Sequence, residues 1–378
     1  MSAPKHRAGL AAAGLLIAVA AVAGCGSKPA PSTSPPPAPA PPPLETSFAS
    51  TAGTGWAVVV MGGSAAQENN FWQLFVRPAG ATTWKLATPL GVADNGGLVV
   101  ASPGRESLVT GFRPSQLLTY TPLAASSDNG ASWSPAGPLN SGLTEAPDAL
   151  AAGPDGSLIA LTSGGAELGQ RLGAAWRRLV STRSLAATSA GKACGVTSLT
   201  GAAFTSSGTP ILAASCGRPG VAGVFADRGG SWHAAGPAVP ASLARDDIDV
   251  LRLTAAGPGL VALLRAGSRI VAAWYDGTRW SVSAPLPATT LTSTAIGPGG
   301  CIGVILNGSH GATLAGPGAA WHVLPALPKW AVTLALGSSG QVDAIAAHGG
   351  TFWDWRLAPA GWSLAQTIHV DIPYGSSS

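Results

Sequence analysis

The chain has 378 residues and a formal charge of +4, and charged side chains make up only 10% of it. Lys and Arg are scattered singly, without the basic patch or stripe that a nucleic-acid surface requires, so nucleic acid is excluded as a partner. Apolar residues, chiefly Ala, Val and Leu, are spread evenly, and beyond the first 24 residues nothing reaches the roughly 18 uninterrupted apolar positions of a membrane-spanning helix.

At the N-terminus, Lys5 and Arg7 precede an uncharged run from Ala8 to Gly24. Charge followed by an apolar run is the order of a secretory signal. The run is slightly short and weakly hydrophobic for a bilayer-spanning helix of roughly 20 residues. It ends in Val22-Ala23-Gly24-Cys25, which resembles the lipobox of bacterial lipoproteins. Small side chains fit the peptidase cleft, and only a thiol can form the thioether. The resemblance implies export by the general secretory route, cleavage after residue 24, and diacylglycerol with palmitate-type chains on Cys25. Each buried acyl methylene adds about 0.8 kcal/mol of membrane affinity, so two or three chains hold a protein stably. The expected location is the cell membrane, lipid-anchored and facing outside the cytoplasm. Loss of Lys5 and Arg7 with the signal lowers the charge from +4 to +2.

Residues 25–44 are the lipidated cysteine and a disordered linker, with GSKPAPSTSPPPAPAPPP at 26–43. Proline locks φ and removes donors, so this is an extended polyproline spacer, on the order of 50 Å if straight.

The remaining chain is too long for one ordinary core and is organised by repetition. A tryptophan recurs after a short Gly, Ala, Ser or Thr-rich turn, at Trp84, Trp133, Trp176, Trp232, Trp280, Trp321 and Trp362, spaced by 41 to 56 residues. Each unit opens with a small, apolar strand, turns at glycine and continues into a second apolar strand, as in 149–161, 253–264, 293–306 and 334–347. A third strand follows, such as 270–277 or 351–358, and the tryptophan strand is the fourth. Period-two alternation, hairpin-sized turns and scant helical periodicity predict an all-β, seven-bladed β-propeller of four-stranded antiparallel blades over 45–373, the WD40/YVTN-like kind of architecture. Residues 374–378 are a disordered tail, and 368–373 either clasps the first blade or hangs free of it.

The turn Ser126-Ser127-Asp128-Asn129-Gly130-Ala131-Ser132-Trp133 resembles the Asp-box, Ser/Thr-x-Asp-x-Gly-x-Ser/Thr-Trp, of sialidases and other BNR-repeat propellers. The resemblance implies a structural role for Ser126, Asp128, Gly130, Ser132 and Trp133, on the face opposite a sialidase active site. Residues 227–232 and 276–280 are degenerate copies. Phe75-Val76-Arg77-Pro78 departs from the sialidase Phe-Arg-Ile-Pro start, and the arginine clamp and tyrosine nucleophile are not traced.

In an oxidising compartment, Cys194 and Cys216 flank a predicted hairpin and are expected to form a disulfide, although their register is a few residues from ideal. Cys301 is expected as a buried thiol inside the apolar strand GCIGVIL. The run Arg245-Asp246-Asp247-Ile248-Asp249 reads as the solvated start of a strand, because calcium needs six to eight oxygen ligands. Loops joining second to third strands, and one unit to the next, share one face. They carry Glu68, Asn69, Asn70, Arg113, Glu145, Asp148, Arg218, Arg245, Asp246, Arg265, Arg269, His310 and His348, the candidate ligand face. His310 and His348 lack a third ligand for zinc, and no phosphate loop, HExxH or Ser-His-Asp spacing occurs, so neither metal nor cofactor is expected.

These readings converge on a monomeric, non-catalytic binding or scaffolding propeller tethered to the cell envelope, engaging a protein or a cell-wall glycan through that face. Two alternatives stand beside it. One is a sialidase-like glycoside hydrolase; the other is an assembly factor for membrane complexes, resembling BNR-type factors that assist photosystem assembly.

Overall fold

The computed structural model describes residues 45–49, 53–62, 70–92, 97–113, 122–135, 143, 145–170, 174–338 and 340–372. The signal, the lipobox with Cys25, the proline-rich linker and the tail 374–378 lie outside them. The chain divides into two compact units, Met1–Pro39 and Ala40–Ser378, and everything described belongs to the second. Among the described residues no helix is long and apolar enough to cross a membrane.

Strand order follows the chain. β1 (Glu45–Ala49), β2 (Gly55–Gly62), β3 (Asn70–Arg77) and β4 (Lys85–Leu86) pair side by side. The same pairing repeats in β5 (Leu98–Ala101), β6 (Leu108–Phe112), β7 (Leu123–Ser126) and β8 (Ser134–Pro135). Next come β9 (Ala149–Ala152), β10 (Leu158–Thr162), β11 (Gly165–Gly169) and β12 (Trp176–Ser181). Two short helices, α1 (Thr182–Ala187) and α2 (Ser189–Cys194), lead into β13 (Val196–Phe204), β14 (Pro210–Cys216), β15 (Gly223–Arg228) and β16 (Ser231–Ala234). β17 (Ile248–Ala256), β18 (Gly259–Ala266), β19 (Arg269–Tyr275) and β20 (Trp280–Val282) follow, with β21 (Leu286–Pro287) added against β19. The last runs are β22 (Leu291–Ile296), β23 (Ile302–Leu306), β24 (His310–Leu314) and β25 (His322–Val323), then β26 (Ala331–Leu336), β27 (Val342–His348), β28 (Thr351–Ala358) and β29 (Gly361–His369). The repeating pairs at 149–161, 253–264, 293–306 and 334–347 are thus the hairpins β9–β10, β17–β18, β22–β23 and β26–β27.

Burial explains the composition of each strand. β6 and β23 are buried at every position, and β18 at all but Arg265, because both faces of these sheets are covered by neighbouring sheets. Strands covered on both faces read as continuous apolar runs, not as alternation. Fourth strands are the exposed ones: β4 and β25 are exposed throughout, and β16 buries only Trp232. Three of the recurrent tryptophans clamp their sheet to the one before by donating the indole N–H to a carbonyl. Trp133 reaches Ala87 at 2.8 Å, Trp280 reaches Ala235 at 2.6 Å, and Trp321 reaches Ala284 at 2.9 Å.

Each apolar cluster is shared by consecutive sheets, and one cluster joins the two ends of the domain. Ala57, Val59, Phe75 and Trp84 from the first four-strand unit pack against Ala335, Ile345 and Phe352 from the last four strands and Val370 just after them. The end of β29 and the segment after it take part: Ile368 of β29 and Ile372 beyond it pack on this cluster, and the Val370 N–H donates to Gly350 O at 2.7 Å. Of the two expectations for 368–373, the structure shows the clasp for the residues it describes.

At the centre, a cavity of about 180 Å³ is lined by β1, β5, β9, β13 and β17, by β22, and by the turn after it. Half of its lining residues are Ala or Gly, and Phe48, Trp56 and Phe204 are among the others. Strand β26 contributes none of the lining residues. β1 pairs in parallel with β22, from Glu45 opposite Ser293 to Phe48 opposite Ile296, and β26 lies behind this pair. The hydroxyl of Ser47 donates to Leu334 O, and Ser293 Oγ donates to Thr333 Oγ1 at 2.6 Å.

One segment left unassigned by the sequence takes a helical form, and one local expectation is corrected. Residues 182–194 form helices, capped by Ser181 Oγ accepting from the Ser184 N–H and Thr188 Oγ1 accepting from the Gly191 N–H. At six residues each they are too short to show helical periodicity. Cys301 lies before β23 and not inside it, is only partly buried, and donates its thiol to Pro298 O at 3.4 Å. Burial nonetheless pushes that thiol above its ordinary pKa.

Candidate functional site

The loops after the second strands and before the first strands contain the predicted face. Glu68 and Asn69 lie outside the described residues, and so does the side chain of Asn70. Arg113 stands exposed after β6. Between the β13–β16 and β17–β20 sheets the structure brings five of the candidates together. The loop after β14 packs on the segment before β17, where the Gly220 N–H donates to Asp246 O at 2.8 Å. Arg218 and Arg245, close in sequence to the two partners of that contact, are exposed. Arg269 Nη2 meets Asp246 Oδ2 at 2.5 Å and also donates to Ser242 O at 3.1 Å. Arg265 pairs with Asp249 at 2.6 Å, and Ser215 Oγ donates to the same carboxylate at 3.2 Å. The run 245–249 is therefore more than a solvated strand start: two of its carboxylates are ion-paired and Ile248 is buried.

Elsewhere on the face, Ser163 Oγ donates to Glu145 Oε2 at 2.7 Å. Asp148 is exposed but crowded, and its carboxyl is raised by partial burial first and by the Glu145 charge second. His310 and Ser309 hydrogen-bond at 3.0 Å. His348 lies instead under an indole that sequence reasoning did not single out: Trp330 stacks on it at 4.5 Å and 3°. The structure does not gather His310 and His348 into a ligand set, and no group of three metal-ligating side chains occurs among the described residues. Trp330 was detectable from phase. It follows Trp321 by nine residues and so falls outside the repeat, directly before a first strand.

On the opposite side, turns between third and fourth strands are closed by aspartates. Asp128 Oδ1 accepts from Ser126 Oγ at 2.7 Å and the Ser132 N–H at 2.9 Å, and Oδ2 accepts from Ser132 Oγ at 2.5 Å. The Ser132 and Ser126 hydroxyls hold its pKa at about 2. Gly130 has φ +80°, and a Cβ there would lie 2.7 Å from that of Ala87. Asp276 is likewise held at about 2, by the Arg279 N–H and then the Thr278 hydroxyl, and Asp227 accepts from the Gly230 N–H at 2.7 Å. Cys194, at the end of α2, is bonded to Cys216 with a Cα–Cα distance of 5.0 Å. Two bulges in the β13–β14 pair take up the register offset.

A second polar cluster is buried where the last sheet meets the first. Asp343 accepts from Arg77 at 2.5 Å, Arg356 at 3.3 Å and Gln341 at 2.8 Å. Arg77 is thus committed to an internal ion pair, with its guanidinium 4.7 Å above the Trp84 ring. The sequence carried a signal for this cluster, a lone carboxylate in each of two apolar strands, QVDAIAA and FWDWRL.

No family model matches the sequence, and no curated protein does. Similar solved structures include a protein from Lactobacillus plantarum, 10% identical, with a TM-score of 0.52 over 85% of this chain and 97% of that one. YCF48 from Cyanidioschyzon merolae is 17% identical, with a TM-score of 0.49 over 82% and 95%. A six-bladed β-propeller lectin from Aleuria aurantia is 13% identical, with a TM-score of 0.41 over 88% and 96%. At these identities the likeness concerns the fold alone, and the described residues form an all-β chain built mainly of four-stranded runs.

Proposed function

We propose that the protein is a lipid-anchored, seven-bladed propeller that binds a protein or a cell-wall glycan of the bacterial envelope through its loop face, without catalysis and as a monomer. In this reading residues 1–24 are the removed signal, Cys25 is the lipidated residue, 25–44 is the linker, and 45–373 is the ring. The parallel β1–β22 pair joins β1–β4 and β22–β25 into one eight-stranded sheet, which is then two blades. The observation that carries the binding role is the cluster at Arg218, Arg245, Asp246, Arg265 and Arg269. Loops distant in sequence converge there, and the ion pairs Asp246–Arg269 and Asp249–Arg265 hold the surface in one shape while Arg218 and Arg245 stay exposed. A rigid surface with projecting charges is suited to recognition because little conformational entropy is lost on binding.

The test is co-purification of the full-length protein with crosslinked partners from envelope membranes, comparing wild type with Arg218→Glu/Arg245→Glu. Loss of the wild-type partners, with an unchanged melting temperature, is the expected result. An unchanged partner set overturns the proposal. Glycan hydrolysis is a second reading, favoured by the proximity of Glu145 to the raised carboxyl of Asp148. Release of reducing ends by wild type but not by Asp148→Asn would replace the first reading with it.

A further inference from the structure

We infer that the face carries a saccharide-stacking site built on Trp330, with Trp353 and His348 as its floor and Lys329 beside it. This rests on the proposal that the loop face binds an envelope ligand and names the ligand class at one sector of it, a pyranose ring.

The backbone is the first observation. Trp330 has φ +63°, and a bulky side chain in the left-handed region is a strained outlier. The position is held by its neighbours: the Ala331 N–H donates to Pro328 O at 3.1 Å, and the Ala347 N–H donates to Trp330 O at 3.0 Å. The adjoining turn is fixed as well, since the Gly62 N–H donates to Gly349 O at 3.1 Å. This strain does not serve burial. Trp330 remains 41% exposed, among the more exposed large apolar side chains of the domain.

The second observation is that the exposed ring is immobilised. Trp330 stacks on His348 at 4.5 Å and on Trp353 at 5.4 Å and 17°. His348 opposes Thr351, and Ala346 opposes Trp353, so histidine and tryptophan stand two residues apart along neighbouring strands and form one floor. A stacked indole presents a flat apolar surface with little rotamer freedom left to lose.

The third observation is the chemistry around the ring. Lys329 Nζ lies 4.1 Å from the Trp330 ring centre, and both Lys329 and His348 are exposed. Nearby, Thr351 Oγ1 and His369 Nδ1 hydrogen-bond at 3.3 Å. An ammonium already over the ring disfavours a cationic ligand such as a quaternary amine. A pyranose matches both parts: its C–H face fits the indole, and its hydroxyls fit the polar rim. Lys329, on its flexible four-carbon stem, swings off the ring and donates to the hydroxyls of the incoming sugar.

The experiment is isothermal titration calorimetry of the full-length protein in a detergent without a sugar headgroup. The probes are an N-acetylglucosamine hexamer, a mannose hexamer and soluble peptidoglycan fragments. Trp330→Gly removes the ring and at the same time suits the positive φ, so the variant is expected to fold with an equal or higher melting temperature and to bind at least one probe about tenfold or more weakly than wild type. Trp353→Phe keeps an aromatic floor and is expected to retain binding. Equal affinity of wild type and Trp330→Gly, or no binding of any probe by wild type, overturns the inference. That failure is separate from failure of the binding role, which is read from the Arg218→Glu/Arg245→Glu partner set.

Discussion

Asp343 and Asp354 lie diagonally across the β27–β28 pair, both wholly buried, yet the first is ion-paired to two arginines while both oxygens of the second lack a hydrogen-bond partner. The Trp84 indole is near enough to favour the Asp354 charge slightly, without completing a hydrogen bond. Burial first, and the Asp343 charge second, push the Asp354 carboxyl up to about 7, against the opposing pull of Arg77 and Arg356. The unsatisfied acid thus sits in the seam between the last sheet and the first.

The sign of its pH dependence follows from linkage. Because the folded pKa lies above the unfolded value of 3.8, the folded state holds the proton more tightly, and stability falls as pH rises from about 4 to about 7, then levels. One pKa unit corresponds to about 1.4 kcal/mol, so the effect reaches at most about 4 kcal/mol. Asp354→Asn should therefore raise the melting temperature above pH 7, with little gain at pH 4. Asp128 and Asp276, held at about 2, contribute stability that is lost only as pH falls toward 2, outside this window. A melting temperature for Asp354→Asn that tracks wild type from pH 4 to pH 8 would refute this assignment.

Phe75 and Phe352 stack at 4.1 Å across the same seam, and both are completely buried. Phe352→Ala should destabilise the domain by about 3–5 kcal/mol through lost burial and the cavity left behind. Urea denaturation checks it, and a loss under 1 kcal/mol would mean that this seam adds little to the stability of the domain.

The Cys194–Cys216 bond closes a separation of 22 residues and ties α2 to the end of β14. Its removal in Cys194→Ser/Cys216→Ser should cost about 2–4 kcal/mol. The comparison to make is the urea midpoint of the double variant against wild type; coincident midpoints would contradict the expectation.

The proposed lipidation at Cys25 predicts that Cys25→Ala stays at its unprocessed mass and carries no label in cells fed an alkyne-tagged palmitate. Label on the variant would place the anchor elsewhere.

The repeat of tryptophans and the glycine-turned apolar pairs were legible because each depends on a few neighbouring residues. A turn such as 126–133 closes on its own hydrogen bonds, and a strand buried on both faces must be apolar whatever lies beyond it. What remained for the tertiary structure depends on distant parts of the chain meeting. The pairing of β1 with β22, which leaves β26 out of the cavity wall, joins residues roughly 250 positions apart and has no local signature. Arg77 reads as an ordinary strand-end arginine until Asp343 arrives beneath it, and His348 reads as a loop histidine until Trp330 is laid across it. Composition and spacing determine which residues form sheets and turns. Which charges are neutralised and which aromatic rings stay exposed is decided by packing between sheets, since burial and Coulomb pairing depend on distance in space and not along the chain.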